Sequence, residues 1–114
     1  IYRTLGRISV EGTQSISFGS GLGEFDFPHE IELWNFKPLK AGTLLAKSKS
    51  DKGLIFVRDE HHQDITANYV KIVKKEDSQY FFLQDCVPSM LTSDLDIIHK
   101  DCLGYIMKEI DLPQ

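Results

Sequence analysis

The chain lacks most of the features that would assign a function at sight. It has 2 cysteines, Cys86 and Cys102, at a spacing that makes no metal site. They could pair as a disulfide, but free buried thiols in a cytoplasmic protein fit better. A basic excess is also missing. The formal charge is −4, and a general grip on nucleic acid needs clustered Lys and Arg. The cations of Lys47, Lys49 and Lys52, and of Lys71, Lys74 and Lys75, are interleaved with acids. No apolar run approaches the length of a membrane span, so no membrane partner is expected. No signal peptide is visible, and the chain starts at Ile1 without a methionine. It therefore reads as a trimmed sequence or one domain of a longer, cytoplasmic protein. No convincing amphipathic helix is visible either.

What is there is ordinary for a soluble globular domain: 41% hydrophobic and 26% charged residues in 114. One domain spanning residues 1–114 can bury about two-thirds of its unfolded surface. Tyr2 to Val10 reads as a strand, with Gly6 a bulge or a close backbone approach. Gln14 to Phe18 is a second strand. Glu30 to Phe36 is a third, with Ile31 and Leu33 on one face and Trp34 and Phe36 on the other. Thr43 to Ala46 and Leu54 to Val57 come next, the latter expected to be covered on both faces. Ala67 to Leu83 reads as a hairpin: Tyr69, Val70, Ile72 and Val73 on one arm, Tyr80, Phe81 and Phe82 on the other, and Glu76-Asp77-Ser78 between them. Asp85 to Asp96 is irregular, with Pro88 arguing against a helix. Leu103 to Ile110 is the last strand. The pattern predicts an all-β, mostly antiparallel domain: a small bent sheet or barrel of about eight strands.

Three stretches carry chemistry-bearing residues. Gly19-Ser20-Gly21-Leu22-Gly23 could cradle a phosphate, but a helix should then come directly after it. The next residues are Glu24-Phe25-Asp26-Phe27-Pro28, acidic and helix-breaking, so a flexible connector is expected. Asp59 to Asp64, with His61 and His62, holds metal-capable atoms. Adjacent histidines on a strand point to opposite faces, so a solvated polar turn is the better reading and no metal or cofactor is expected. Lys71 is a cation inside the first arm of the hairpin. It is either a solvated strand lysine or the remnant of a catalytic pair.

In their order these segments resemble the C-terminal domain of LexA and of phage CI-type repressors, the self-cleaving serine/lysine peptidase fold shared with UmuD. Leu5 to Gly12 is similar to the family's opening segment, which carries the self-cleavage site. Trp34 to Ala46, with its Ala41-Gly42 turn, has the spacing of the nucleophile segment. Val70-Lys71-Ile72-Val73 is similar to the strand of the catalytic lysine. Tyr80 to Gln84, Asp85 to Ser93 and Leu103 to Ile106 match the closing pattern. The resemblance implies a LexA-like fold over nearly the whole chain.

The resemblance also exposes what is missing. In the family a buried, neutral lysine takes the serine proton. Here the nucleophile position falls on Trp34, or within one residue on Leu33 or Asn35, and none is serine or cysteine. Ser89-Met90 imitates the family's Ser-Met but comes after the lysine. The scissile pair falls near Val10-Glu11 or Glu11-Gly12, where a glutamate fits an apolar cleft poorly. The chain therefore reads as a pseudoenzyme, with Lys71 at most a relic and Trp34 expected to fill the vacated cleft. The implied function is that of a dimerisation and regulatory domain of a prophage-type or LexA-like transcriptional repressor. A homodimer would tether two DNA-binding heads lying upstream, and an antirepressor protein or a peptide is a further conceivable partner. Leu103, Tyr105, Met107 and Ile110 are expected to leave an apolar edge for self-association, or else to be core. The alternative is a stand-alone β-barrel interaction module, a UmuD-like accessory or an adaptor offering a sheet edge to a peptide. A third reading keeps self-cleavage through an unaligned serine.

Overall fold

A computed structural model describes residues 2–11, 15–49 and 54–109. They form nine strands: β1 (Tyr2–Glu11), β2 (Ile16–Phe18), β3 (Phe25–Phe27), β4 (Leu44–Ser48), β5 (Leu54–Arg58), β6 (Val70–Lys74), β7 (Ser78–Phe82), β8 (Val87–Ser89) and β9 (Gly104–Glu109). Two short helices, α1 (Thr66–Tyr69) and α2 (Leu95–Lys100), and a 3-10 helix, Ile31–Trp34, complete them. The strands make two sheets, in the orders β5-β1-β9-β8 and β2-β3-β4-β7-β6. The domain is all-β and mostly antiparallel, and neither sheet closes into a barrel. No helix among the described residues is long and apolar enough to cross a membrane.

One hydrophobic cluster takes residues from both sheets. Ile8, Val57 and Ile106 from the first sheet and Phe25, Phe27 and Leu45 from the second are wholly buried. Period-two alternation explains the choice: Ile8 and Val10 turn inward while Arg7 and Glu11 do not. Phe18 and Phe25 both lie against Phe27, and Tyr80 lies against Phe25. Such ring contacts add to what burial alone contributes.

Gly6 fulfils both expectations placed on it. The β1–β9 register shifts between Thr4 and Gly6, and a Cβ on Gly6 would stand 2.7 Å from Val57 Cγ1. The expected hairpin forms as β6 and β7, with Val70 opposite Phe82 and Lys74 opposite Ser78. Its start differs, because Thr66–Tyr69 is a helical turn.

Two further expectations are corrected. Residues 30–36 are not a strand. Their apolar side chains suit alternation, but the 3-10 helix has three residues per turn. Ile31 and Trp34 therefore both turn to the core, and Leu33 is left exposed. The stretch 85–96 is not irregular throughout. It holds β8 and the start of α2, whose cap is Asp94: its carboxylate accepts from Asp96 and Ile97 N–H. Pro88 lies in β8, which pairs with β9 alone, as a proline in a sheet must.

Candidate functional site

The resemblance implies a cleavage site, a nucleophile position and a lysine, at residues 10–12, 33–35 and 71. Val10 is buried in β1 opposite Ile55, and Glu11 lies opposite Leu54. Both oxygens of Glu11 accept from the Arg58 guanidinium, at 2.9 and 3.3 Å. The Val10–Glu11 bond thus runs inside a paired strand; Gly12 lies outside the described residues. Lys71 is exposed on β6, the end strand of its sheet, so the dry surroundings that a lysine base needs are missing around it.

Trp34 is half-buried against the core. Asn35 is a clamp. Its side-chain N–H donates to Leu91 C=O at 3.1 Å, and its carbonyl oxygen accepts from Leu91 N–H at 2.7 Å. One side chain so ties the 3-10 helix to the chain leaving β8. Phe36 N–H donates to Pro88 C=O at 2.8 Å. Glu32 accepts from the hydroxyl and the N–H of Ser93, and these bonds hold its carboxyl below the ordinary range. Leu39 and Cys86 exchange backbone bonds at 2.7 and 3.0 Å. Residues 36–39 therefore cover the outer edge of β8.

This junction leaves three large apolar side chains in water: Leu33, Phe36 and Met90, exposed by 65%, 64% and 69%. Phe36 and Met90 also have positive φ, 63° and 54°. That region is uncommon for any side chain but glycine and costs about 1–2 kcal/mol. Sequence reasoning missed this surface, because residues 33–36 and 90 meet only through long-range contacts.

Of the two readings of the last strand, the core one fits Leu103 and Met107. β9 lies between β1 and β8 and has no edge. Leu103 is fully buried and Met107 is 8% exposed, so both are core. Tyr105 is half-buried, and Ile110 lies outside the described residues. Both cysteines are free and buried. Burial, with Asp85 nearby, pushes the Cys86 thiol up to about 11.

The glycine-rich loop does cradle an anion, and the anion is its own. Asp26 Oδ1 accepts from the Ser17 hydroxyl at 2.6 Å and from the N–H groups of Gly19 and Gly21 at 3.0 Å each. The carboxylate sits where a phosphate would. Burial raises its pKa, but these bonds and the charge of Lys47 outweigh that and hold it below the ordinary value. Among the described residues no group of three or more His, Cys, Asp or Glu could hold a metal ion. In the 59–64 turn, Asp59 Oδ1 instead accepts from the N–H groups of His61 and Gln63.

Among the cavities that the described residues form, two lie near residues discussed above. One, of about 390 Å³, lies beside Arg3 to Arg7 of β1 and Arg58 to Glu60, with His62 and Tyr105. The other, of about 210 Å³, lies between Pro38–Lys40 and β9. Trp34, Asn35 and Lys71 line neither. Comparison with models of known families, with curated proteins and with solved structures finds no match for this chain.

Proposed function

We propose that this chain is a non-cleaving self-association domain of the kind that LexA-like and phage CI-type repressors carry at their C-terminus. Its contribution is a homodimer in the cytoplasm; DNA is held by a separate N-terminal head. The observation that carries this reading is the exposed group of Leu33, Phe36 and Met90. Single exposed apolar residues need no explanation, but these three stand on two segments that Asn35–Leu91 and Phe36–Pro88 bonds hold together, which supports an interaction surface. Here two of the three also occupy costly backbone conformations that an exposed turn would ordinarily give to glycine. The absence of catalysis is supported by exposed Lys71, by the clamp made of Asn35 and by a scissile-like bond locked within β1.

The test is the solution mass of the 114-residue chain by light scattering, from roughly micromolar to hundred-micromolar concentration. The expected result is a reversible dimer, which Phe36→Glu together with Met90→Glu converts to a folded monomer. A monomer at every concentration overturns the proposal. So does a dimer indifferent to the double substitution.

A further inference from the structure

Among the described residues, part of the β1 edge in the first sheet has no strand beside it. β9 pairs with β1 from Tyr2 to Ile8, but on the other side β5 pairs only from Arg7 to Glu11. Beyond Arg58 the chain turns away from β1. The turn is set by its own bonds: Asp59 N–H to Gln63 C=O and His62 N–H to Asp59 C=O, both 3.0 Å, with His62 at φ 61°. No described strand covers β1 from Tyr2 to Gly6 on that side. The cavity of about 390 Å³ fills the gap between this edge and the turn. It is the space of a missing strand segment, about four residues long at roughly 3.3 Å each.

The charges around the gap are arranged on both sides of it. Directly paired residues share a sheet face, and residues three apart on a strand do not. Arg7 pairs with Tyr105 and Arg3 with Lys108, so Arg7 and Arg3 stand on opposite faces. A regular strand would put them on the same face; the bulge between Thr4 and Gly6 separates them. Arg7 has Asp101 at 3.5 Å, while Arg3 makes no ion pair among the described residues. Two acids, Asp59 and Glu60, also line the cavity, and each has a partner of its own: Asp59 Oδ1 accepts from the N–H groups of His61 and Gln63, and Glu60 lies 3.6 Å from His61.

We propose that the edge of β1 from Tyr2 to Gly6 captures an extended acidic peptide, which adds a strand in line with β5 and sets carboxylates against Arg3 on one face and Arg7 on the other. Backbone bonds to the bare edge supply the general affinity, and the arginines select for adjacent acidic side chains. A second copy of the chain is a poorer occupant. Antiparallel pairing of two β1 edges would gather two Arg3 and two Arg7 side chains along one seam, and like charges at close range repel. This capture does not depend on self-association through Leu33, Phe36 and Met90, which belong to another part of the molecule.

The test uses the isotopically labelled chain and two blocked peptides of about six residues, roughly 20 Å when extended. One is Thr-Val-Glu-Asp-Val-Thr; the other has both acids replaced by lysine. The acidic peptide should shift the amide resonances of Tyr2 to Gly6 and of Asp59 to His62, and slow the exchange of the former. Arg3→Glu with Arg7→Glu should weaken it about tenfold or more and favour the lysine peptide. Arg3→Glu alone, at an exposed position, gives a smaller loss and keeps the test sound should the double variant not fold. Equal binding of both peptides, no binding at millimolar peptide, or shifts confined to other residues would overturn the proposal. Protection of Tyr2 to Gly6 that rises with protein concentration alone would also overturn it, by making a second copy the occupant.

Discussion

Two of the turns that use left-handed backbone in this molecule use it differently. In residues 19–24 the left-handed positions are Gly19 and Gly21, where the conformation is nearly free. The N–H groups of Gly19, Gly21, Gly23 and Glu24 in that turn are directed at Asp26, Ser17 or Ser15. At the junction of the 3-10 helix with β8, the left-handed positions are Phe36 and Met90, both costly and both exposed. The first turn is a solved folding problem: its glycines let β2 and β3 lie parallel and adjacent across a short connection, where parallel neighbours ordinarily need a dozen or more residues. The second accepts strain to hold apolar side chains in water, and strain kept in an exposed turn points to what those side chains touch.

The largest expected effect comes from breaking the first turn. A Cβ on Gly23 would lie 2.7 Å from Ser17 N, 2.8 Å from Ile16 C and 2.9 Å from Phe25 O, all backbone. Gly23→Ala should therefore cost about 3 kcal/mol or more in urea unfolding, because the two parallel strands must separate. Gly21→Ala meets nothing within 4 Å but keeps a φ of +73°; it should cost only about 1 kcal/mol. Equal losses would mean that the turn does not hold the strands as described. Next in size is the clamp of the second turn. Asn35→Ala strands the N–H and C=O of Leu91 and should cost about 1–3 kcal/mol. It should also weaken self-association, since it releases Phe36 and Met90 together.

The sequence made the first region partly legible and the second hardly at all. Strand residues, the bulge at Gly6 and the β6–β7 hairpin come from local alternation and turn chemistry. The glycine-rich loop points instead to a flexible connector, since no helix comes directly after it. That it cradles Asp26 was not legible, because a strand residue in Phe25-Asp26-Phe27 looks like any alternating polar position. The 3-10 helix was hidden because Ile31-Glu32-Leu33-Trp34 satisfies a period of two as well as one of three. α2 was hidden by its length, although Asp94 carries a cap signal. The clamp was out of reach: Asn35 and Leu91 are 56 residues apart, and nothing local at either position announces the other. Nor could a sequence show that β9 is an inner strand, which is why Leu103 and Met107 were open to a reading as surface.

A sharper separation of the two turns comes from giving the second the residues of the first. Phe36→Gly with Met90→Gly removes the left-handed strain, about 1 kcal/mol at each site, while glycine's extra freedom in the unfolded chain offsets a similar amount. Folded stability should hold, or rise by up to about 1 kcal/mol. Light scattering on the same variant should show the dimer lost. A double variant that loses both stability and association would show that these side chains support the fold, and the contrast between the turns would fail.

The smallest effect is a pH dependence to which the first turn contributes through Asp26. The Asp26 pKa is held below its ordinary value of 3.8 by the bonds from Ser17, Gly21 and Gly19. A group depressed on folding contributes stability that is fully present above its unfolded value and is lost as pH falls through its folded value. Stability measured in urea should thus decline below about pH 4, and Gly19 and Gly21 amides should lose protection from exchange along with it. Asp26→Asn keeps an acceptor oxygen but not the charge, and charge-assisted bonds are roughly twice as strong as neutral ones. It should cost about 1 kcal/mol at neutral pH and flatten this part of the acid limb. Phe36, Met90 and Asn35 contain no group that titrates there. Glu32, held low by Ser93, is the acid of the second turn, and Glu32→Gln separates its share of the limb from that of Asp26. An acid limb that survives Asp26→Asn and disappears with Glu32→Gln would move the pH dependence to the second turn.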